Sequence, residues 1–499
     1  MSVDSRHPLY LEFDQDWKQL RDTYRGERIV KEAGFVYLPA TSGMVEDGIL
    51  NTRAPGFQAY AAYRMRARFP ELVKEAVEAM LGVMHHKPPV IDLPDSMEPL
   101  RESATLRNES LEMLLRRINE EQLVTGRVGI LLEVPEGTGM QLPLVALYRA
   151  EHMINWDEGE RDDPELESLN FVSLDESDEE RIFNFEWQFV QKHRVLILGE
   201  PLENEPVGQG VYRVGVFREQ VSFSEADLVT PVVAGATLDQ IPFVFINTKD
   251  IVPQPDEAPL LGLSNLTLTI YRGEADYRQA LFLQGQDTLV MIGTTGSTEQ
   301  EGERQRTGAG ATIEIANVQG DAKYIGVNSD GLPEMRETLQ NDYQTGNQKA
   351  GSLLEAVSRA AESGEALRVR VAARTASLNQ IALAGAFGLQ SLLRMEARWI
   401  GANPEEVVVT PNLDFVSEVL KGRDLVDLMD AKEKGAPLST QSIHELLQAR
   451  GLTELTFDEE MELLEAEKAE AQEVAEAAAE AAEPAAPPPT NNQEELIEV

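Results

Sequence analysis

The sequence predicts an α+β fold in which helical regions flank a β-rich middle. Apolar residues repeat at intervals of three and four near the N-terminus and again after residue 260. Between residues 128 and 247 the pattern changes to short apolar runs and to strict alternation. Because the strands are grouped rather than alternating with helices, the pattern favours α+β over a doubly wound α/β sheet. The 499 residues, 42% of them hydrophobic, suffice for about two to four domain-sized units.

The first 125 residues are predicted to be mainly helical. One helix is expected over 11–34, with Gly34 as its end, and a helical region over 57–84 restarts at Pro70. A further helix is expected over about 106–124. The clearest signal is one apolar stripe on the second region, made of Phe69, Leu72, Val73, Ala76, Val77, Met80, Leu81 and Met84.

Strands are predicted in the middle of the chain. Phe183, Phe185, Trp187 and Phe189 alternate with polar residues, which predicts a half-buried antiparallel strand over 182–190. Residues 151–180 contain thirteen acidic residues and one arginine, which predicts a solvated acidic insertion. The other predicted strands are 128–134, 142–148, 193–198, 211–217 and 243–247.

Three long helices are predicted after a proline-containing break at 253–259. They cover 263–285, 333–349 and 366–400. Strands at 287–292 and 311–318 are expected around residues 293–310, which include five glycines and no large apolar residue and so predict an exposed projection.

Small residues over 350–364 predict a mobile connection to the third long helix. The C-terminal region is predicted to hold helices over 412–434 and 439–450 and a charged helix over 457–480. The Ala, Glu and Pro composition of residues 481–499 cannot bury a core, so this tail is predicted to be disordered.

Composition excludes several classes of protein. The net charge is −42, of which residues 451–499 contribute −14, so the chain lacks the cations of an ordinary nucleic-acid wrapper. The acidity fits either simple solubility or a surface that must not adhere to DNA or membrane. Zero cysteine excludes disulfides, thiolate metal sites and a cysteine nucleophile. Neither a signal peptide nor a membrane-spanning segment is expected.

Motifs for catalysis are missing from the sequence. It contains no GxxxxGK[ST] phosphate loop, HExxH pair or GxSxG elbow. The adjacent His85 and His86 would point about 100° apart on a helix and are expected to be a helix-end feature. A metal-dependent hydrolase using Asp157, Asp162, Asp163 or the acidic run 175–180 is the minority hypothesis, because these residues lie in a polar segment. We therefore expect no enzyme activity, no metal and no cofactor.

The order of elements resembles the portal, or head–tail connector, proteins of tailed double-stranded-DNA bacteriophages. SGEALR (363–368) is similar to the signature that opens the long helix after the tunnel loop in many portals. GRVGILLEVP (126–135) and INW (154–156), together with a pattern from Trp17 to Pro39, resemble a family of uncharacterised phage proteins regarded as portals. The stretch 436–470 resembles the portal C-terminus, where a short helix precedes a Glu-rich one.

This resemblance implies a division of the chain. The wing would cover 1–255, helical over 1–125 and β-rich over 126–255. The remaining parts would be a stem helix at 256–285, the clip at 286–332, a stem helix at 333–349, the tunnel loop at 350–364, a long helix returning to the wing at 365–411, the crown at 412–480 and the tail at 481–499.

The resemblance also implies contact residues. The tunnel loop and its flank would face DNA through Gly351, Arg359, Gly364, Arg368, Arg370 and Arg374, although ordinary helix solvation or inter-subunit salt bridges are the commoner role for such arginines. The clip would contact other proteins through Gly293, Gly296, Arg304, Arg306, Gly308 and Gly310.

The partners that the resemblance implies are those of a capsid vertex. The chain would form a ring of twelve copies in the virion, assembled in the host cytoplasm, without a membrane. It would contact the terminase large subunit, a head-completion or adaptor protein, and the major capsid and scaffold proteins. Double-stranded DNA would pass through it without sequence specificity. A different minor head protein, which would not form a wide ring alone, is the alternative within the same class.

Overall fold

The structure is a computed structural model. It describes residues 2–134, 142–158, 169–199, 210–219, 222–224, 227–284, 288–292, 321–325, 331–351, 364–415 and, with short gaps, 429–481. The chain divides into two compact units, residues 1–415 and 416–499. Helix and strand are both abundant, so the predicted α+β class is confirmed.

The N-terminal region is helical, as predicted, but its first helix is interrupted. Gly26 has a φ of +90° between α1 (Pro8–Arg25) and α2 (Glu27–Ala33), a conformation that residues with a Cβ rarely adopt. The predicted single helix over 11–34 is therefore wrong at this residue. After the 3₁₀ turn Gly34–Val36, the chain continues through α3 (Ser42–Glu46), α4 (Pro55–Arg66) and α5 (Leu72–Met84).

The apolar stripe predicted from the sequence is confirmed on α5. All of its members from Leu72 to Met84 are buried, and Phe69 is buried just before the helix. The stripe packs into a core that also receives residues of α7 (Leu261–Gln284) and α9 (Gly364–Ile400). His85 follows the last turn and bonds Asn119, while His86 bonds the carbonyl of Val83, so the expected helix-end role is confirmed.

A three-stranded antiparallel sheet lies at the centre of the main core. Helix α6 (Leu111–Thr125), capped by the Ser110 hydroxyl, leads into β2 (Arg127–Glu133). The strand order is β11–β2–β3, with β3 at Leu144–Arg149 and β11 at Phe243–Asn247. A short strand β1 (Val90–Asp92), a 3₁₀ helix (Asp95–Arg101) and a second 3₁₀ turn (Ala150–His152) complete this region.

A second sheet has five antiparallel strands in the order β10–β9–β8–β5–β4. Trp156, Val172 and Leu174 are buried in it, so the acidic insertion predicted over 151–180 is wrong over these strands. Among the described charged residues of this stretch, Asp157, Glu158 and Asp175 belong to strands of this sheet rather than to a separate loop. The strands are β4 (Met153–Glu158), β5 (Leu169–Asp175), β8 (Lys192–Leu198), β9 (Tyr212–Arg218) and β10 (Leu228–Val229).

The predicted half-buried strand over 182–190 is instead part of an exposed hairpin. β6 (Asp178–Phe183) pairs with β7 (Glu186–Val190) as a separate two-stranded sheet. The four aromatic side chains of its alternating pattern are all exposed, and only Val190 is buried. The single strand predicted over 182–190 is therefore wrong at Asn184 and Phe185, where the chain turns, and its predicted half-burial is wrong as well.

The long helices are close to their predicted positions. They are α7 (Leu261–Gln284), α8 (Leu332–Gly351) and α9 (Gly364–Ile400). β12 (Thr288–Ile292) pairs antiparallel with β13 (Asp321–Ile325) between α7 and α8, whereas the strand predicted at 311–318 lies outside the described residues. α9 ends near the 3₁₀ turn Pro404–Glu406, and β14 (Val408–Thr410) pairs with β1.

The second unit contains two described helices. They are α10 (Thr440–Ala449) and α11 (Phe457–Ala481), which confirm the predicted helices over 439–450 and 457–480. The His444 ring meets the Phe457 ring edge-on at 5.6 Å. Most of the helix predicted over 412–434 and the tail from 482 lie outside the described residues.

Candidate functional site

The two helices that the resemblance assigns to a stem pack against each other in antiparallel fashion. Gly273 of α7 lies opposite Leu339 of α8, and a Cβ at Gly273 would be 2.9 Å from Leu339 Cδ2. Farther along, Gly346 lies opposite Ile270. Along the contact, the residue numbers of α7 fall from 273 to 270 as those of α8 rise from 339 to 346, so the two helices run in opposite directions. The two glycines, which have no side chain, allow the helices to approach closely.

A polar cluster fixes the register of this helix pair. The Glu274 carboxylate, on a mostly buried side chain, accepts the Tyr343 hydroxyl at 3.1 Å and Arg278 Nε at 2.5 Å. Burial, together with the adjacent Glu274 carboxylate, raises the pKa of Tyr343 to about 12. The phenol therefore stays protonated and donates its hydrogen bond throughout the neutral range.

Helix α7 is attached to the N-terminal helices by polar contacts. Tyr63 donates to Asp276 Oδ1 at 2.5 Å, and Arg272 Nε donates to the carbonyl of Tyr37 at 2.9 Å. The Arg66 guanidinium lies 4.0 Å from the centre of the Phe282 ring, a favourable cation–π geometry. α7 thus packs against α4 as well as against α8.

The part of the chain that the structure describes covers helix α8 on only one narrow face. Leu339 and Gly346 are its buried residues, and Tyr343 is half-buried between them. A Cβ at Gly346 would also lie 2.6 Å from Leu72 Cδ1, so α8 contacts α5 as well as α7. Leu332, Met335, Asp342 and Ala350 are also half-buried. The exposed residues of the helix are rich in uncharged polar side chains, namely Thr338, Gln340, Asn341, Gln344, Thr345, Asn347 and Gln348.

This polar face of α8 carries few charges. Its exposed charged residues lie near the two ends of the helix and include two of each sign, namely Glu334, Arg336, Glu337 and Lys349. Such a face can hydrogen-bond water or a passing polyanion without the tight phosphate contacts that clustered lysine and arginine would form.

The residues predicted to contact DNA are only partly described. Gly351 is the last residue of α8 and Gly364 the first of α9, while Arg359 lies outside the described residues. Arg368, Arg370 and Arg374 occupy the first three turns of α9. The proposed clip residues Gly293, Gly296, Arg304, Arg306, Gly308 and Gly310 all lie outside the described residues, and these assignments stay predictions.

The acidic residues of the minority hydrolase hypothesis do not converge in the described part of the chain. Asp157 accepts a hydrogen bond from Asn170 at 2.7 Å, and Glu176 is bonded to Arg194 and Lys192. Asp162 and Asp163 lie outside the described residues. Among the residues that the structure describes, no group of three or more His, Asp or Glu side chains is placed to hold a metal ion.

Two fully buried ionisable residues were not identified from the sequence. Arg127 is fully buried, with its guanidinium 4.3 Å from the ring centres of both Trp156 and Phe245, and burial lowers its pKa to about 9. Glu396 of α9 is also fully buried, and neither carboxylate oxygen has a hydrogen-bond partner among the described residues. Burial raises the pKa of Glu396 well above its usual value. Neither residue has a sequence signal that distinguishes it from an exposed one.

Comparisons with known proteins give one family match and several structural similarities. A domain of unknown function, DUF4055, matches residues 259–400, a span that contains α7, α8 and α9. No curated protein matches the chain. None of the helices that the structure describes is both long and apolar enough to span a membrane.

Solved structures similar to the chain come from gene transfer agent particles. A neck of the native particle with C12 symmetry is 12% identical, covering 75% of this chain and 89% of that one, at a TM-score of 0.36. The virion of the native particle and the neck of the empty particle with C6 symmetry are each 14% identical, with the same coverage and TM-score.

Proposed function

We propose that this chain is a phage portal protein, a structural subunit without catalytic activity that forms a ring at one capsid vertex. The observation that carries the proposal is the antiparallel α7–α8 pair. It brackets the β12–β13 hairpin on one side, and α8 leads toward the long helix α9 on the other. The resemblance of the sequence to portal proteins rests on this same order of helices and strands.

The uncovered face of α8 supports a conduit role. A 20-residue helix packed along one stripe has little stability of its own, so neighbouring copies are expected to cover part of its remaining surface. The part that faces the channel would present amides and hydroxyls. Because these groups carry no net charge, double-stranded DNA could slide past them without a large electrostatic barrier or trap.

A ring requires one copy to contact the next through two different surfaces. Such head-to-tail contacts close when the rotation between copies divides a full turn. The proposal includes twelve copies, placement in the virion after assembly in the host cytoplasm, and docking of the terminase large subunit and an adaptor protein. It also includes contacts with the major capsid and scaffold proteins. Residues 286–332 would provide the docking site for the terminase and adaptor.

Negative-stain imaging of the purified full-length protein tests this proposal. The expected particles are closed rings with an axial hole wide enough for a DNA duplex. Compact particles without a hole, in the presence as well as the absence of scaffold and capsid protein, would contradict it.

A shortened tunnel loop provides a second test. Deleting part of residues 352–363 should leave the rings intact, because the residues that pack α7 against α8, such as Gly273 and Leu339, lie outside the deletion. Packaging or retention of the genome should fall. Loss of the ring itself would show that the segment is needed for assembly rather than for handling DNA.

A further inference from the structure

Residues 411–415 form the last part of the first compact unit. They follow β14, which pairs with β1, and they end at Phe415, a buried member of the core that also contains Met84 of α5. Between these two attached points, polar contacts hold the segment to the end of α5.

Asn412 lies at the centre of these contacts. Its Nδ2 donates to the carbonyl of Met84 at 3.2 Å, and its Oδ1 accepts the amide N–H of Asp414 at 3.1 Å. The same Nδ2 lies 3.0 Å from Nδ1 of His86. These contacts fix the orientation of the Asn412 amide, because exchanging its oxygen and nitrogen would lose the bonds to Met84 and Asp414 together.

The Nδ1 atom of His86 faces a donor and an acceptor at the same time. Besides Nδ2 of Asn412, it lies 2.9 Å from the carbonyl oxygen of Val83. An imidazole nitrogen with a free lone pair can accept from Asn412, whereas a protonated one can only donate to Val83. The two contacts therefore exclude each other as hydrogen bonds, and the proton on Nδ1 selects between them.

Protonation of the ring forces this choice in one direction. A neutral imidazole can leave Nδ1 without a proton and so accept the bond from Asn412, but an imidazolium carries a proton on both nitrogens. The imidazolium then places two donors against each other, and the fixed Asn412 amide cannot turn to avoid this. His86 is exposed, so its ring exchanges protons with solvent.

The charged groups near this contact include both signs. Lys87 and Asp414 pair with each other at 2.7 Å. The neighbouring His85 bonds a side chain of α6 instead, and burial lowers its pKa, while Arg116 and Glu112 of α6 act on it in opposite directions. Because His85 is engaged with α6, the contact to the 411–415 segment depends on the other histidine of the pair.

We propose that His86 is a pH-dependent switch, which holds residues 411–415 against α5 when its imidazole is neutral and releases Asn412 when it is protonated. The switch lies at the end of the first unit, so acid loosens the chain where it leaves that unit. The pairing of β14 and the burial of Phe415 are retained, and the release is confined to the residues between them. This inference goes beyond the proposed function and does not depend on ring formation.

Hydrogen–deuterium exchange of the full-length protein tests the proposal. The exchange of residues 412–415 is measured at about pH 7.5 and about pH 5.5, on either side of ordinary histidine titration. Each value is divided by the exchange of the unfolded chain at the same pH, which removes the intrinsic pH dependence. The corrected exchange should be about two- to tenfold faster at the lower pH, the effect of losing one neutral hydrogen bond. Equal corrected values at the two pH values would overturn the proposal.

Two histidine variants assign the response to its source. His86→Asn places an amide oxygen close to the position of Nδ1 and does not titrate, so its corrected exchange should be slow at both pH values. His85→Gln, which keeps a donor toward α6, is the matched control and should retain the response of the parent. A response that persists in His86→Asn, or that is lost in His85→Gln, would overturn the proposal.

Asn412→Ala tests the other side of the contact. Without the amide, the segment should exchange at least as fast at both pH values as the parent does at the lower one. A variant that still responded to pH as the parent does would show that His86 acts on another group, and the proposed switch would be overturned.

Discussion

Helices α8 and α9 are both long, yet they differ in how completely the chain covers them. In its described part, α9 buries residues on most of its circumference, including Leu378, Leu389, Leu393 and Trp399. Among the α8 residues whose burial the structure describes, Leu339 and Gly346 alone are buried. Helix α9 is therefore held by the described part of its own chain, whereas the described residues leave most of α8 uncovered.

The close packing of α9 has a local cause. A Cβ at Gly385 would lie 2.5 Å from Asn119 Nδ2, and one at Gly388 would lie 2.4 Å from Ile246 Cγ1. These glycines let α9 approach both α6 and the edge strand β11. The helix therefore belongs to the main core, although it follows α8 in sequence.

The largest effect is expected from a cavity in the α9 core. Leu393→Ala removes a fully buried side chain and should lower the free energy of unfolding by about 2–5 kcal/mol. Chemical denaturation of parent and variant measures the loss. The matched control on α8, Gln344→Ala, is exposed and should change the stability little, so equal losses would remove the distinction between the two helices.

A smaller loss is expected from the apolar contact of α8. Leu339→Ala removes the largest buried side chain of this helix, which packs over Gly273. We expect a loss of about 2 kcal/mol, at the lower end for such substitutions, because Leu339 is near the protein surface. Urea denaturation checks the value. A loss larger than that of Leu393→Ala would mean that the α7–α8 pair, not α9, is the dominant core element.

A pH-dependent effect is expected at Glu396. Burial raises the pKa of this carboxyl well above its usual 4.5, so the folded chain keeps it neutral while the unfolded chain ionises it. Folding takes up a proton, and the stability linked to the neutral carboxyl is complete at low pH and lost as pH rises toward the folded pKa. Glu396→Gln cannot ionise, so its melting temperature relative to the parent should increase between about pH 5 and pH 8.

The control for this titration is Glu405→Gln, since Glu405 is an exposed carboxylate in the turn after α9. Its difference from the parent should stay nearly constant over the same pH range. A Glu396→Gln difference that also stays constant would show that the carboxyl is ionised in the folded chain.

The smallest effect on stability is expected from charges added to the α8 face. Gln344→Lys with Gln348→Lys should change the free energy of unfolding by no more than about 0.5 kcal/mol, because both side chains are exposed. The proposed ring should nevertheless retain DNA more tightly at low ionic strength, and the retention should fall steeply with salt. Filter binding over a salt series measures it. The control variant, Gln344→Glu with Gln348→Glu, adds two negative charges at the same positions and should not retain DNA.

Much of the fold could be predicted because local patterns determine it. The α5 stripe and strand β11 were predicted from spacing alone, since burial on one face imposes the period. The strands within residues 151–180 were not predicted, because the thirteen acidic residues of this stretch obscure the apolar pattern of the buried Trp156, Val172 and Leu174. In the β6–β7 hairpin the alternation suggested one continuous strand and concealed the turn at Asn184, and a pattern cannot reveal which element, if any, covers the aromatic side chains.

The candidate site was less predictable for a physical reason. Arg127 is buried because Trp156 and Phe245, which are far from it in sequence, enclose its guanidinium. The close approach of α7 and α8 depends on Gly273 and Gly346 meeting large side chains of other helices. Such tertiary contacts have no local signature, so the sequence could predict the helices and their order but not the uncovered face of α8.

The mass of the purified full-length protein in solution tests the central claim most directly. Light scattering should give a closed species of about 660 kDa, twelve copies of the 55.3-kDa chain, whose mass does not grow with concentration. A mass that corresponds to one or two copies at every concentration, with scaffold and capsid protein also present, would contradict the account.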